Sequence, residues 1–242
     1  MRFFKHIIYF SILLVCPLIS SAQQASYSII GTVSNPEIKS LYFTETSFFS
    51  NVKPKVQKVN ILEGKFNIKG DFNEPVPVFL SIDQDFKKDP ATMKQFILDS
   101  GNISVEINGG LNDALISGSK AQDDMQRLSS GQAAYYEKLN QIGKEAELKS
   151  QSGISPDSIA ALYRIPFRDV NRELVEFQLS FVKENPTAFA SLLLIPSIAG
   201  IKFNFFEADS LLKSLSSGIQ NSSTAKLVKD YIDSEKKTSL GA

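Results

Sequence analysis

The chain has no tryptophan, one cysteine and one histidine, and the last two, Cys16 and His6, both fall within the first 22 residues. Downstream of Ala22 there is neither a thiol nor an imidazole. That absence excludes a Ser-His-Asp triad, a cysteine nucleophile, a CxxC redox pair, a zinc finger and a histidine-ligated haem. An excess of one charge is missing too, because 26 Lys and Arg stand against 26 Asp and Glu. Setting aside Arg2 and Lys5 of the N-terminal leader leaves a net charge of about −2, far from the basic balance of a nucleic-acid binder. A long hydrophobic run is also lacking, since the stretch from Ile7 to Ile19 falls short of the roughly 20 residues that cross a bilayer as a helix.

What is present begins with that leader. Arg2 and Lys5 precede the apolar run, and Ser20 and Ala22 supply small residues ahead of Gln23. This is the pattern of a cleaved secretory signal over residues 1–22, with a mature start at Gln23 and a periplasmic or cell-envelope location. Acylation at Cys16, as in a lipoprotein, is the less favoured reading because Val15 stands where a small residue is required. With the signal removed, no transmembrane segment is expected. The remaining chain of about 220 residues is long enough to be stabilised by core burial without disulfides.

Two periodicities divide it. From Tyr27 to about Ser119 apolar residues alternate, as in strands with one buried face. Ile103, Val105 and Ile107 make the clearest run, with similar alternation at Tyr27-Ile29-Val33, Leu41-Phe43, Val59-Ile61, Phe66-Ile68, Val76-Val78-Leu80-Ile82 and Phe96-Leu98. Asn35-Pro36, Glu63-Gly64, Glu74-Pro75, Ser100-Gly101 and Gly109-Gly110 punctuate them, and Glu63-Gly64 reads as a tight hairpin turn. Seven or eight strands without helical pattern predict an antiparallel β-sandwich or partly closed barrel over residues 23–118.

After Gly118 the period becomes helical. Met125, Leu128, Tyr135, Leu139, Ile142 and Ala146 form a stripe that Gln132 interrupts. Ser155-Pro156 is a start signal for a second helix, with the stripe Phe167, Val170, Leu174, Phe177, Phe181. Asn185-Pro186 repeats that signal ahead of the apolar segment Ala188–Ile201, whose Pro196 and Gly200 predict a buried, kinked helix or helix pair. Short helices follow near Asp209–Leu215 and Ser223–Asp233. The fold class is therefore α+β, with a helical bundle or spacer over 119–237 packed on the β domain and a linker stub at 238–242. The narrow stripes predict that the helices bury themselves on one another and on one sheet face, and that the two halves unfold together.

No catalytic, cofactor or metal residues are assigned. Asp83, Asp85 and Asp89 have a calcium-loop look, but Lys88 and Lys94 stand where an EF-hand needs Gly and Glu. Ser210 and Lys213 match S-x-x-K inside an amphipathic helix, which does not expose a nucleophile. Arg164, Arg168 and Arg172 recur every four residues, so they share a helix face able to grip an anionic ligand or a partner's acidic strip. Asp169, Glu173 and Glu176 lie within pairing distance and predict a salt-bridged surface. Phe203, Phe205 and Phe206, and the pair Phe48-Phe49, contain adjacent aromatics that cannot all face one core, so some are expected to be docking anchors. Arg164, Arg168, Arg172, Phe205 and Phe206 are the expected partner-binding residues.

Several phrases carry a resemblance: Ile30-Gly31-Thr32-Val33, Gly64-Lys65-Phe66-Asn67-Ile68-Lys69-Gly70, Phe96-Ile97-Leu98-Asp99-Ser100-Gly101-Asn102-Ile103, Ile116-Ser117-Gly118-Ser119 and Asn185-Pro186. In order and spacing they resemble the N-terminal, DUF4369-like domain of unknown function of Bacteroidetes-type TlpA/ResA/AhpC thioredoxin-like disulfide oxidoreductases. The resemblance implies a helical spacer after the sheet domain, then a redox domain after the segment Thr238–Ala242, whose cysteines have no counterpart here. The function expected is a non-catalytic envelope accessory module, binding or scaffolding an envelope protein or a redox partner, without nucleic acid, cofactor or thiol-disulfide activity. The competing expectation is a carboxylate-based hydrolase of envelope glycans, which would need two facing carboxylates in a cleft, one of them buried.

Overall fold

The structure, a computed structural model, describes residues 25–49, 53–85, 89–202 and 204–239. The expected signal with Cys16, the residue Phe203, and residues 240–242 of the expected linker lie outside the described residues. Eight strands come first: β1 (Ser26–Val33), β2 (Ser40–Glu45), β3 (Lys55–Asn60), β4 (Lys65–Asp71), β5 (Val76–Ser81), β6 (Met93–Leu98), β7 (Gly101–Ile107) and β8 (Leu115–Ser117). Six helices follow: α1 (Lys120–Gln151), α2 (Pro156–Glu184), α3 (Phe189–Lys202), α4 (Phe205–Ser214), α5 (Ser217–Gln220) and α6 (Ser223–Ser239).

The strands form two open four-stranded sheets, ordered β4-β1-β7-β8 and β3-β2-β5-β6, so the sandwich reading holds and the barrel does not close. Alternation fixes which side chains face inward. Ile29, Ile68 and Ile103 lie in register across β1, β4 and β7, all buried, and Leu41, Phe43, Val78, Leu80 and Phe96 answer them from the other sheet. One pairing departs from the antiparallel expectation: β1 and β7 run parallel, in register from Tyr27 with Gly101 to Val33 with Ile107. Period two marks the buried face and says nothing of the neighbour's direction.

Glu63-Gly64 is the expected tight turn, with φ of 51° and 71° and two backbone bonds of 2.9 Å between Leu62 and Lys65. Positive φ at both central residues is the two-residue hairpin geometry that favours glycine. The hairpin stops there, because β3 belongs to one sheet and β4 to the other.

In the helical half, α1 and α2 pair antiparallel. Tyr135 lies 5.9 Å from Phe177, Lys138 bonds Glu173 at 3.5 Å, and Tyr163 donates to Glu145 at 3.2 Å. Ser155 caps α2 as expected, its Oγ accepting from the Ser158 amide at 3.3 Å. The segment expected to be buried is α3, one helix running through Pro196, with Leu192, Ile195 and Ile198 buried among Val182, Leu211, Val228 and Ile232. A helix apolar all round must be central.

The helices bury their apolar stripes on one another, and the start of α1 meets the sheet domain along β6. The buried cluster of the helical half contains no strand residue, and that of the sandwich contains no residue of α1 to α6; Phe48, in the β2–β3 connection, packs against the helical one, 5.8 Å from Phe189. The junction is polar. Ser119 Oγ donates to the Ile97 carbonyl at 2.7 Å, the Ile97 amide donates to Gln122 Oε1 at 2.9 Å, and Asp99 Oδ2 accepts from the Ala121 amide at 2.9 Å. The first turn of α1 thus satisfies the open edge of β6, an edge that would otherwise be free to pair with another chain.

Candidate functional site

The stripe assigned to α2 divides in two. Leu174 and Phe181 are buried and Phe177 is half-buried, but Phe167, expected in the same buried row, is 53% exposed. The cause is geometric: α3 covers only the C-terminal half of α2, and the N-terminal half is left with α1 as its neighbour. Pro166 stands inside this uncovered stretch, where the carbonyl freed by its missing N–H can meet water.

Beside it runs a groove of about 820 Å³ along α2, lined by Arg164, Phe167, Arg168, Asn171, Arg172, Val175, Glu176 and Leu179 and closed on one side by Ile201 of α3. Positions three and four apart fall on one face of a helix, so the three arginines and the apolar floor are brought together by spacing alone. The predicted salt-bridge network forms only in part. Asp169 Oδ1 is shared by Arg168 at 3.1 Å and Arg172 at 3.3 Å, while Glu173 turns away to Lys138 of α1. Arg164 makes no ion pair among the described residues. The groove therefore keeps a cationic rim over an apolar floor, and the three expected arginines share one site.

The expected aromatic anchors separate. Phe205 is buried against the core, 6.2 Å edge-to-face from Tyr231, whereas Phe206 is 63% exposed beneath the Lys236 ammonium, 5.3 Å from the ring centroid. Phe205 is thus corrected from docking anchor to core residue, because successive helical positions point about 100° apart and only one can face inward. Neither lines the groove.

Two carboxylates meet at the junction. Asp99 and Asp124 border a small cavity of about 200 Å³ at the junction, and Asp124 is buried. Asp99 accepts from the amides of Ser100 and Ala121, and Asp124 from Lys120 at 2.6 Å and Arg127 at 2.8 Å. Each of the four oxygens accepts from a protein donor, Asp99 tying the first turn of α1 to the end of β6 and Asp124 bracing α1 itself. Asp89 spends its Oδ1 on the Ala91 amide, and no group of three acidic, histidine or cysteine residues able to hold a metal is found among the described residues. Ser210 donates to the Phe206 carbonyl and Lys213 to Asp209, so S-x-x-K forms no dyad. No helix among the described residues is long and apolar enough to cross a membrane.

Residues 27–125 match the model of a domain of unknown function (DUF4369). The match ends at Met125, inside α1, and so takes in Ser119 and Gln122, which bind the edge of β6 at Ile97, and Ala121, which binds Asp99. A comparison with curated proteins finds no match. Among solved structures, the solution structure of the CBM25-1 of β/α-amylase from Paenibacillus polymyxa aligns at 13% identity, covering 41% of this chain and 97% of that one, with a TM-score of 0.29. A likeness of that size carries no argument about function.

Proposed function

We propose that this protein is a non-catalytic binding module of the cell envelope, whose working surface is the groove along α2. The observation that carries the reading is the coincidence of Arg164, Arg168 and Arg172 with an exposed apolar floor, a combination that fits recognition of a partner. The residue types after Ala22 support the absence of catalysis, since they supply no thiol or imidazole. The leader supports secretion and an envelope location. The resemblance to the N-terminal part of thioredoxin-like oxidoreductases supports an accessory role, in which the module holds a partner or positions a redox domain.

The test is a photo-crosslinking side chain at position 167 of the full chain, expressed in cells and illuminated, with the same side chain at Tyr136 as an exposed control outside the groove. The expected result is a discrete adduct at 167 that disappears when Arg164→Glu and Arg168→Glu are added, and no such adduct at 136. Identical patterns at both positions, or none at either, would overturn the reading.

A further inference from the structure

The groove's dimensions and charge narrow its occupant. Arg164 and Leu179 are 15 residues apart on one helix, so the floor is about 22 Å long, the length of roughly four helical turns. It is open along its outer side, unlike the enclosing pocket that buries most of a small ligand. Phe167, Leu179 and Ile201 offer apolar area, with Val175 buried beneath them, while Asn171 is the only uncharged polar residue in the lining. A long, open, apolar floor suits an amphipathic helix laid along it. The rim gives the sign: three guanidiniums one turn apart stand against Glu176, with Asp169 already shared between two of them. Guanidinium favours carboxylate through paired, planar hydrogen bonds, and a row repeating every four residues matches carboxylates repeating every four residues.

Resting on the reading of this groove as a binding surface, we infer that its occupant is an acidic amphipathic helix of a partner protein, with apolar residues on the floor and Asp or Glu against Arg164, Arg168 and Arg172. A membrane fits less well, because Glu176 in the lining and Asp169 beside it would be pressed against an anionic surface, whereas a helix can place its carboxylates between them. A second copy of this chain would bring the same cationic rim against itself.

The probe is a labelled synthetic helix of about 16 residues with leucines at helical spacing and glutamates flanking them, titrated against the purified protein by fluorescence anisotropy, beside a version with lysine in place of glutamate. The glutamate peptide should bind, and binding should weaken about tenfold or more with Arg164→Glu plus Arg168→Glu, and likewise with raised salt. The charge-reversed protein should gain binding to the lysine peptide, a gain that a merely misfolded variant could not show. Equal binding of both peptides, preference for phosphatidylglycerol vesicles over the glutamate peptide, or dimers crosslinked through position 167 would each overturn the inference. An adduct at 167 that the glutamate peptide fails to displace removes the acidic helix and leaves the groove as a binding surface; no adduct at all removes the groove itself.

Discussion

Gly118 holds the turn from the last strand into the helices at φ +86°, and a Cβ built there would lie 2.2 Å from the Asn102 carbonyl oxygen. Both the left-handed backbone and the close approach of a neighbouring main chain require glycine, so Gly118→Ala should destabilise the fold by about 2 kcal/mol or more. Denaturant melts would check this, and an unchanged midpoint would refute it. The sequence marked Gly118 as a boundary from the change of period, and the structure supplies the reason. Gln132 and Gln178 were less legible. Gln132 interrupts an apolar stripe and was expected to break it, yet both side chains are buried, and Gln132 Nε2 and Gln178 Oε1 have no hydrogen-bond partner. A buried acceptor without a donor costs about 1–3 kcal/mol, so Gln178→Met, nearly the same shape without the polar atoms, should raise stability by a sizeable part of that. A lower melting temperature would show that the amide is doing something the packing does not reveal. Phe205 and Phe206 lie between these cases: sequence established that both could not be core, but only the helix's orientation decides which one is.

At the scale of elements, the strands were legible because burial on one face leaves a period of two, and the start of α2 at Ser155 because caps are local chemistry. Strand direction was not, since β1 meets β7 only through the path of the intervening chain. Nor was the uncovered half of α2, because a stripe of period 3.6 looks the same whether or not another helix reaches it. The α4–α6 contact shows how charge adds to such packing. Asp209 on α4 accepts from Lys213 at 2.8 Å and lies 3.6 Å from Lys236 on α6. The Lys213 hydrogen bond, with Lys236 nearby, holds the Asp209 carboxyl below its ordinary value of 3.8 against the opposing effect of burial. A carboxylate whose folded pKa lies below its unfolded one stabilises fully above the unfolded value and loses that contribution as pH falls through the folded value. Asp209→Asn should therefore cost up to about 1 kcal/mol at neutral pH, and the gap to the unmodified protein should close under more acidic conditions, below the ordinary value. Melts across that range test it, and a gap independent of pH would assign the loss to packing.

The whole molecule poses the question of cooperativity. Narrow helical stripes led to the expectation of one unit that unfolds together, on the reasoning that the helices need either the sheet or one another for burial. The structure takes the second course, since α3 serves as the apolar centre around which α1, α2, α4 and α6 close, and the sandwich closes on its own two inner faces. Between the two cores stand Phe48, a bond from the Thr224 amide to Glu74 at 3.1 Å, and the ties from the first turn of α1 to β6 and Asp99. Polar ties of this kind contribute about 1 kcal/mol each, too little to couple two cores into one transition. Calorimetry of the intact protein should accordingly resolve two transitions. The boundary between the units also moves from Gly118 to within α1. Ile97 is 5% exposed in the intact protein, and a fragment ending at Gly118 strips its edge strand of Ser119 and Gln122. A fragment of residues 25–125, the end point of the family match, keeps both. The longer fragment should therefore be soluble with a cooperative melt, and the shorter one should melt lower or associate through the bared β6 edge. If both fragments behave alike, the first turn of α1 contributes nothing to the sheet domain. If the longer one aggregates and the intact protein melts in a single transition, the two cores act as one through contacts stronger than those at the junction.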